Sequence, residues 1–154
     1  MNLANEVSLQ KKILPYFQPI ISLEDGKIFG YEALGRLEEN GSVKSMGYFF
    51  SDDEISSKEK LYQDRDLRKK ALSFYQANII DQDEKPLLFI NINPSWIEES
   101  AKRGVEIFPS ILMMQELGID GRNIVIEVTE HEYSNDLAFL NRLLQQYRDF
   151  GCPY

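Results

Sequence analysis

Gly30-Tyr31-Glu32-Ala33-Leu34-Gly35-Arg36 puts a carboxylate inside an apolar, strand-like run and a guanidinium four residues further on. An unpaired carboxylate sheltered from water is costly, so Glu32 needs a cation or a hydrogen-bond donor. In an extended chain residues 32, 34 and 36 share one side, which sets Glu32 and Arg36 about 13 Å apart. That is too far for an ion pair and suits two groups gripping different parts of one ligand. The alternative is a strand end with a surface ion pair to some neighbour.

Working outward, residues 16–23 read as a strand interrupted by Pro19, which cannot donate to a ladder and marks an edge. Glu24-Asp25-Gly26-Lys27 follows, and the strand carrying Glu32 starts at Ile28. Asp-Gly between two β-rich runs signals a hairpin, so these two strands are expected to be antiparallel neighbours. Residues 38–60 read as a polar loop with a solvated acidic run, Ser51-Asp52-Asp53-Glu54. Within it Tyr48-Phe49-Phe50 is an apolar island, expected to pack under the loop or mark a contact surface.

From Lys58 the pattern changes. Leu67, Ala71, Phe74, Tyr75 and Ile79 recur at helical spacing, predicting a helix over 58–78. Leu87-Leu88-Phe89-Ile90 is an apolar run typical of a strand buried on both faces. Asn93 then reads as an N-cap with Pro94 at the first helical position. A short helix is expected over 109–117, stopped by Gly118, and a second buried strand over 124–130. Leu137, Phe139, Leu140, Leu143, Leu144, Tyr147 and Phe150 form an apolar stripe, with Asn135 as cap and Gly151 as stop. Helices alternating with buried strands after a hairpin give the fold class: α/β, a parallel sheet or barrel.

The 154 residues suffice for one domain with a core, and 43% hydrophobic and 27% charged residues are ordinary for a globular protein. A net charge of −8 argues against DNA binding through a basic face. The single cysteine, Cys152, excludes an internal disulfide and fits a reducing compartment. No run approaches the ~20 apolar residues of a membrane span, and no signal-peptide core is visible, so a cytoplasmic location without membrane insertion is expected.

Three strands that read as buried carry an oxygen donor near the C-terminal end: Glu32, Asn91 and Glu127. In parallel α/β folds that end is where sites are built. Carboxylate, amide and carboxylate make an oxygen-only set of the kind Mg²⁺, Mn²⁺ and Ca²⁺ prefer. Each has an alternative. Asn91 is also explained as a strand-end residue bonded to backbone, Glu127 by an ion pair to a helix, Gln18 by backbone hydrogen bonds, and Thr129 and Glu130 by capping. His131, the only histidine, argues against a His-rich zinc site and reads most simply as a loop residue.

Taken in order, Tyr16-Phe17-Gln18-Pro19-Ile20, the Gly30–Arg36 stretch, Phe89-Ile90-Asn91-Ile92-Asn93-Pro94 and Ile126-Glu127-Val128-Thr129-Glu130 resemble the EAL family of bacterial cyclic-di-GMP phosphodiesterase domains. The motifs span residues 16–130, and Asn93 stands where many members have serine. The resemblance implies a modified (β/α) TIM-like barrel with an antiparallel first strand. It implies Glu32, Asn91 and Glu127 as ligands of Mg²⁺ or Mn²⁺, with Glu32 and Glu127 catalytic. It further implies Gln18, Leu34 and Arg36 as substrate-binding residues, Arg36 on a phosphate of cyclic-di-GMP, and Glu130 as support for a neighbouring loop. The implied reaction is hydrolysis of one phosphodiester bond to the linear dinucleotide. The runner-up is a non-catalytic signalling module that binds cyclic-di-GMP or a protein.

A full barrel needs about 250 residues. Residues 1–13 are therefore expected to be a leading helix or linker, and 14–154 the N-terminal part of the barrel, stopping after about four strands. By resemblance, a pair of aspartates, a lysine and a further glutamate belong to later strands. The chain alone is then expected to be inactive, and to self-associate or pack against the missing half or another domain.

Overall fold

In a computed structural model the described residues are 12–81, 85–104, 106–128 and 137–153. Five strands form one sheet in the order β1-β2-β4-β5, with β3 paired to β2 off this path. They are β1 (Lys12–Ile21), β2 (Ile28–Glu39), β3 (Ser42–Ser45), β4 (Leu87–Ile92) and β5 (Ile124–Val128). The hairpin expected from Asp25-Gly26 is present: β1 runs antiparallel to β2, from Lys12 opposite Glu38 to Ile20 opposite Gly30. The β2-β4 and β4-β5 pairs are parallel. This is the α/β arrangement with an antiparallel first strand.

Two differences from the sequence reading have local causes. β2 runs on to Glu39 and is returned by β3, so part of the expected loop is a second hairpin. Its turn is Asn40-Gly41, with φ of 52° and 75°. Positive φ at both central residues is the hairpin geometry that Asn-Gly favours. Within the short helix α1 (Gly47–Ser51), Phe50 packs its ring against Trp96 at 5.5 Å, whereas Tyr48 of the same apolar island is exposed. β1 begins at Lys12, inside the stretch expected to lead into the domain.

The helices α2 (Ser57–Asn78), α3 (Pro94–Lys102), α4 (Pro109–Glu116) and α5 (Leu137–Asp149) follow the predicted spans. Ser56 caps α2 by accepting from the Glu59 N–H, and Asn93 caps α3 by accepting from the Ser95 N–H at 2.9 Å. Asn135, the expected cap of α5, lies outside the described residues. Leu137, placed on the apolar stripe by its spacing, is exposed, whereas Leu140 and Tyr147 are buried.

Strand alternation divides the sheet into two unlike faces. Leu88, Ile90, Ile92, Ile124 and Ile126 join Leu72, Tyr75, Ile97, Ile111 and Met114 in one buried cluster under the helices. The opposite face carries Gln18, Glu32, Phe89, Asn91 and Glu127. It is kept open at its base by Gly30, where an added Cβ would lie 2.7 Å from the Leu87 carbonyl oxygen and 2.9 Å from the Phe89 ring. Leu87 is the ladder partner of Gly30, so that oxygen cannot withdraw. Gly30→Ala is expected to cost about 1–3 kcal/mol, the usual range for overpacking. A urea denaturation midpoint equal to that of the parent chain would contradict this. Among the described residues no helix is long and apolar enough to cross a membrane.

Candidate metal centre

The register brings the strand-end donors together. Gln18 lies opposite Glu32, Glu32 is paired with Phe89, and Asn91, two residues beyond Phe89, is paired with Glu127. Residues two apart in a strand share a face, so all four polar side chains project from the same side of the sheet. Asn91 Nδ2 donates to Glu32 Oε1 at 3.0 Å. That bond fixes which end of the amide faces Glu32 and leaves the Asn91 carbonyl oxygen as an acceptor.

Glu127 is the electrostatically unsettled member. Its Oε2 is shielded from solvent and has no hydrogen-bond partner. Burial, and then the charge of Glu32, push its carboxyl above the ordinary value of 4.5. Two carboxylates close enough to repel, one with an orphaned oxygen, form a site that lacks a positive charge. An amide oxygen beside them completes an all-oxygen donor set suited to a hard divalent cation. Among the described residues no group of three or more His, Cys, Asp or Glu is placed to hold a metal.

The rest of the face extends away from this centre. Leu34 and Asn91 border a cavity of about 130 Å³ that also touches Phe50, Asp64 and Arg68. Arg36 is partly buried and spends one N–H on the Gly35 carbonyl, from Nη1 at 2.9 Å. Gln18 is exposed. Glu130, Thr129 and His131 lie outside the described residues. The sequence reading passed over two features, of which only the first had a readable signal. Asp64 and Arg68 stand at i,i+4 on α2 and form a largely buried ion pair. Tyr16 shares the face of Glu32 and Arg36, which only the β1-β2 register reveals.

The model of the EAL domain family matches residues 2–153, and the chain belongs to that family. It is 31% identical over 139 residues to the EAL-domain-containing protein YkuI of Bacillus subtilis, covering 90% of this chain and 33% of YkuI. The crystal structure of YkuI in complex with substrate c-di-GMP and calcium superposes with a TM-score of 0.74 at 30% identity, covering 91% of this chain and 34% of that one. The calcium and c-di-GMP complex of Klebsiella pneumoniae BlrP1 gives a TM-score of 0.68 at 19% identity, over 91% and 33% of the two chains, and so shares the fold. The chain thus spans about a third of the length of these relatives.

Proposed function

We propose that the chain is the N-terminal part of a cyclic-di-GMP phosphodiesterase domain of bacterial second-messenger signalling, acting in the cytoplasm. The observation that carries the reading is the orphaned Glu127 oxygen beside the Asn91–Glu32 hydrogen bond at the strand ends. It is supported by YkuI, crystallised with c-di-GMP and calcium. In this reading Glu32, Asn91 and Glu127 hold Mg²⁺ or Mn²⁺. A divalent cation supplies a water of lowered pKa and charge to offset the phosphoryl oxygens. Asn91 orients Glu32 through its Nδ2, Arg36 pairs with a ligand phosphate, and Gln18 and Leu34 line the ligand. Glu130 supports the adjoining loop. One P–O ester bond is exchanged for the oxygen of water, and the cyclic dinucleotide opens.

A binding role without turnover is the second reading for this chain. It is favoured by the small donor set at the strand ends, where Glu32 and Glu127 are the carboxylates beside Asn91. Both readings predict metal-dependent recognition of the dinucleotide. Calorimetry should show cyclic-di-GMP binding that Mg²⁺ strengthens. Glu32→Ala should remove the Mg²⁺ effect, and Arg36→Ala should weaken binding about ten- to hundredfold, the value of a charge-assisted phosphate contact. Unchanged affinity in both variants would reject the site. Turnover of cyclic-di-GMP by the 154-residue chain would exclude the second reading.

A further inference from the structure

Past Ala33, β2 leaves β4 and continues between β1 and β3 as an antiparallel flange. The face carrying Glu32 runs on along it, with Tyr16 opposite Leu34, Leu14 opposite Arg36 and Lys12 opposite Glu38. Tyr16 Oη donates to Glu38 Oε1 at 2.6 Å. Glu38 lies four residues beyond Leu34, the register partner of Tyr16, which is about 13 Å along the strand. Neither side chain covers that distance alone. Both must lean along the ladder toward each other, and this lays the phenol ring across the Leu14–Arg36 pair.

The result is an aromatic ring that is 39% exposed, held at its tip, and set beside the arginine on the face of the metal donors. The closeness of Arg36 also shows in its pull on the Tyr16 hydroxyl, which opposes the upward push of the Glu38 hydrogen bond. A freely rotating surface tyrosine would lose rotamer entropy on stacking against a ligand. Tyr16 has already met part of that cost through Glu38. A base joined to a phosphate held by Arg36 falls within reach of the ring.

We propose that Tyr16 is a nucleobase-stacking platform of the ligand site, and that Glu38 is the positioning residue that fixes its ring. The inference rests on the nucleotide-binding reading given above and adds to it a binding residue, a positioning residue and the part of the ligand they serve. Stacking on an aromatic ring is worth about 1–3 kcal/mol per base and tolerates any base, so Tyr16 contributes affinity rather than base choice.

The test is titration of the full chain with cyclic-di-GMP in the presence of Mn²⁺, with Mn²⁺ affinity and the melting curve measured on the same samples. Tyr16→Leu should weaken dinucleotide binding about tenfold or more, with Mn²⁺ affinity and melting unchanged. Tyr16→Trp should bind as tightly as the parent chain, and Glu38→Leu should show a smaller loss than Tyr16→Leu. Dinucleotide affinity undiminished in Tyr16→Leu would overturn the assignment while leaving the proposed function standing. So would a parallel fall in Mn²⁺ affinity or melting in both Tyr16→Leu and Tyr16→Trp, which would mark a structural role. A parent chain that bound Mn²⁺ but no cyclic-di-GMP would overturn both.

Discussion

Glu127→Gln is expected to weaken Mn²⁺ binding by about a hundredfold or more, and to make the metal-free chain more stable at neutral pH. Loss of a residue that merely orients a metal ligand costs about 10–100-fold in affinity, so a donor proposed to touch the ion should cost at least the upper end. The gain in metal-free stability follows from the same oxygen. Glu127 Oε2 is sheltered and unpartnered, and burial together with Glu32 raises its carboxyl above the ordinary 4.5. A carboxyl with a raised pKa holds its proton more tightly in the folded chain than in the unfolded one. Its stabilising contribution is complete below the unfolded value and is lost as pH rises through the folded one. The metal-free parent should therefore lose stability across that interval, and Glu127→Gln, which keeps the shape without the charge, should lose less. Mn²⁺ at neutral pH should raise the melting temperature of the parent and leave that of the variant nearly unchanged. Equal Mn²⁺ affinities in parent and variant would remove Glu127 from the donor set.

What the sequence revealed, and what it hid, follows the range of the forces involved. Glu32, Asn91 and Glu127 could be read as one group because period-two alternation and the shared C-terminal end of parallel strands are local rules. Asp25-Gly26 announced the first hairpin in the same way. Asn40-Gly41 carried an equally local signal, but the charged residues around it made the segment look like loop. Tyr16 could not be recognised, because its place beside Arg36 depends on a cross-strand register that pairs Leu34 with Tyr16. Leu137 failed for the opposite reason. Helical periodicity put it on the apolar stripe, but the packed surface of α5 is centred on Leu140 and Tyr147, and Leu137 stands clear of it. The Asp64–Arg68 pair was visible as a spacing, and spacing does not tell a solvated i,i+4 pair from a buried one.

That distinction sets the second large effect. Arg68→Met is expected to destabilise the chain by about 3–5 kcal/mol, the cost of leaving one partner of a buried ion pair without the other. The two side chains are 17% and 10% exposed, and burial raises the Asp64 carboxyl above its ordinary value even with Arg68 beside it. An exposed i,i+4 pair would be worth only about 0.3–0.5 kcal/mol. Without that guanidinium, Asp64 keeps only the smaller pull of Arg65 and sheds the rest of the cost by taking up a proton. The loss in Arg68→Met should therefore be smallest at low pH and grow as pH rises through the carboxyl's folded pKa. The double change Asp64→Leu/Arg68→Met should cost less than Arg68→Met alone, because an apolar pair of similar volume leaves no charge to solvate. Denaturant unfolding of the two single variants and the double one, at acid and neutral pH, measures all of this. A loss below about 1 kcal/mol for Arg68→Met would show that water reaches the pair. The pair also borders the same cavity of about 130 Å³ as Leu34 and Asn91. If the double variant keeps its stability but binds Mn²⁺ less tightly than the parent chain, then the ion pair is there for the placement of Asn91 rather than for the fold.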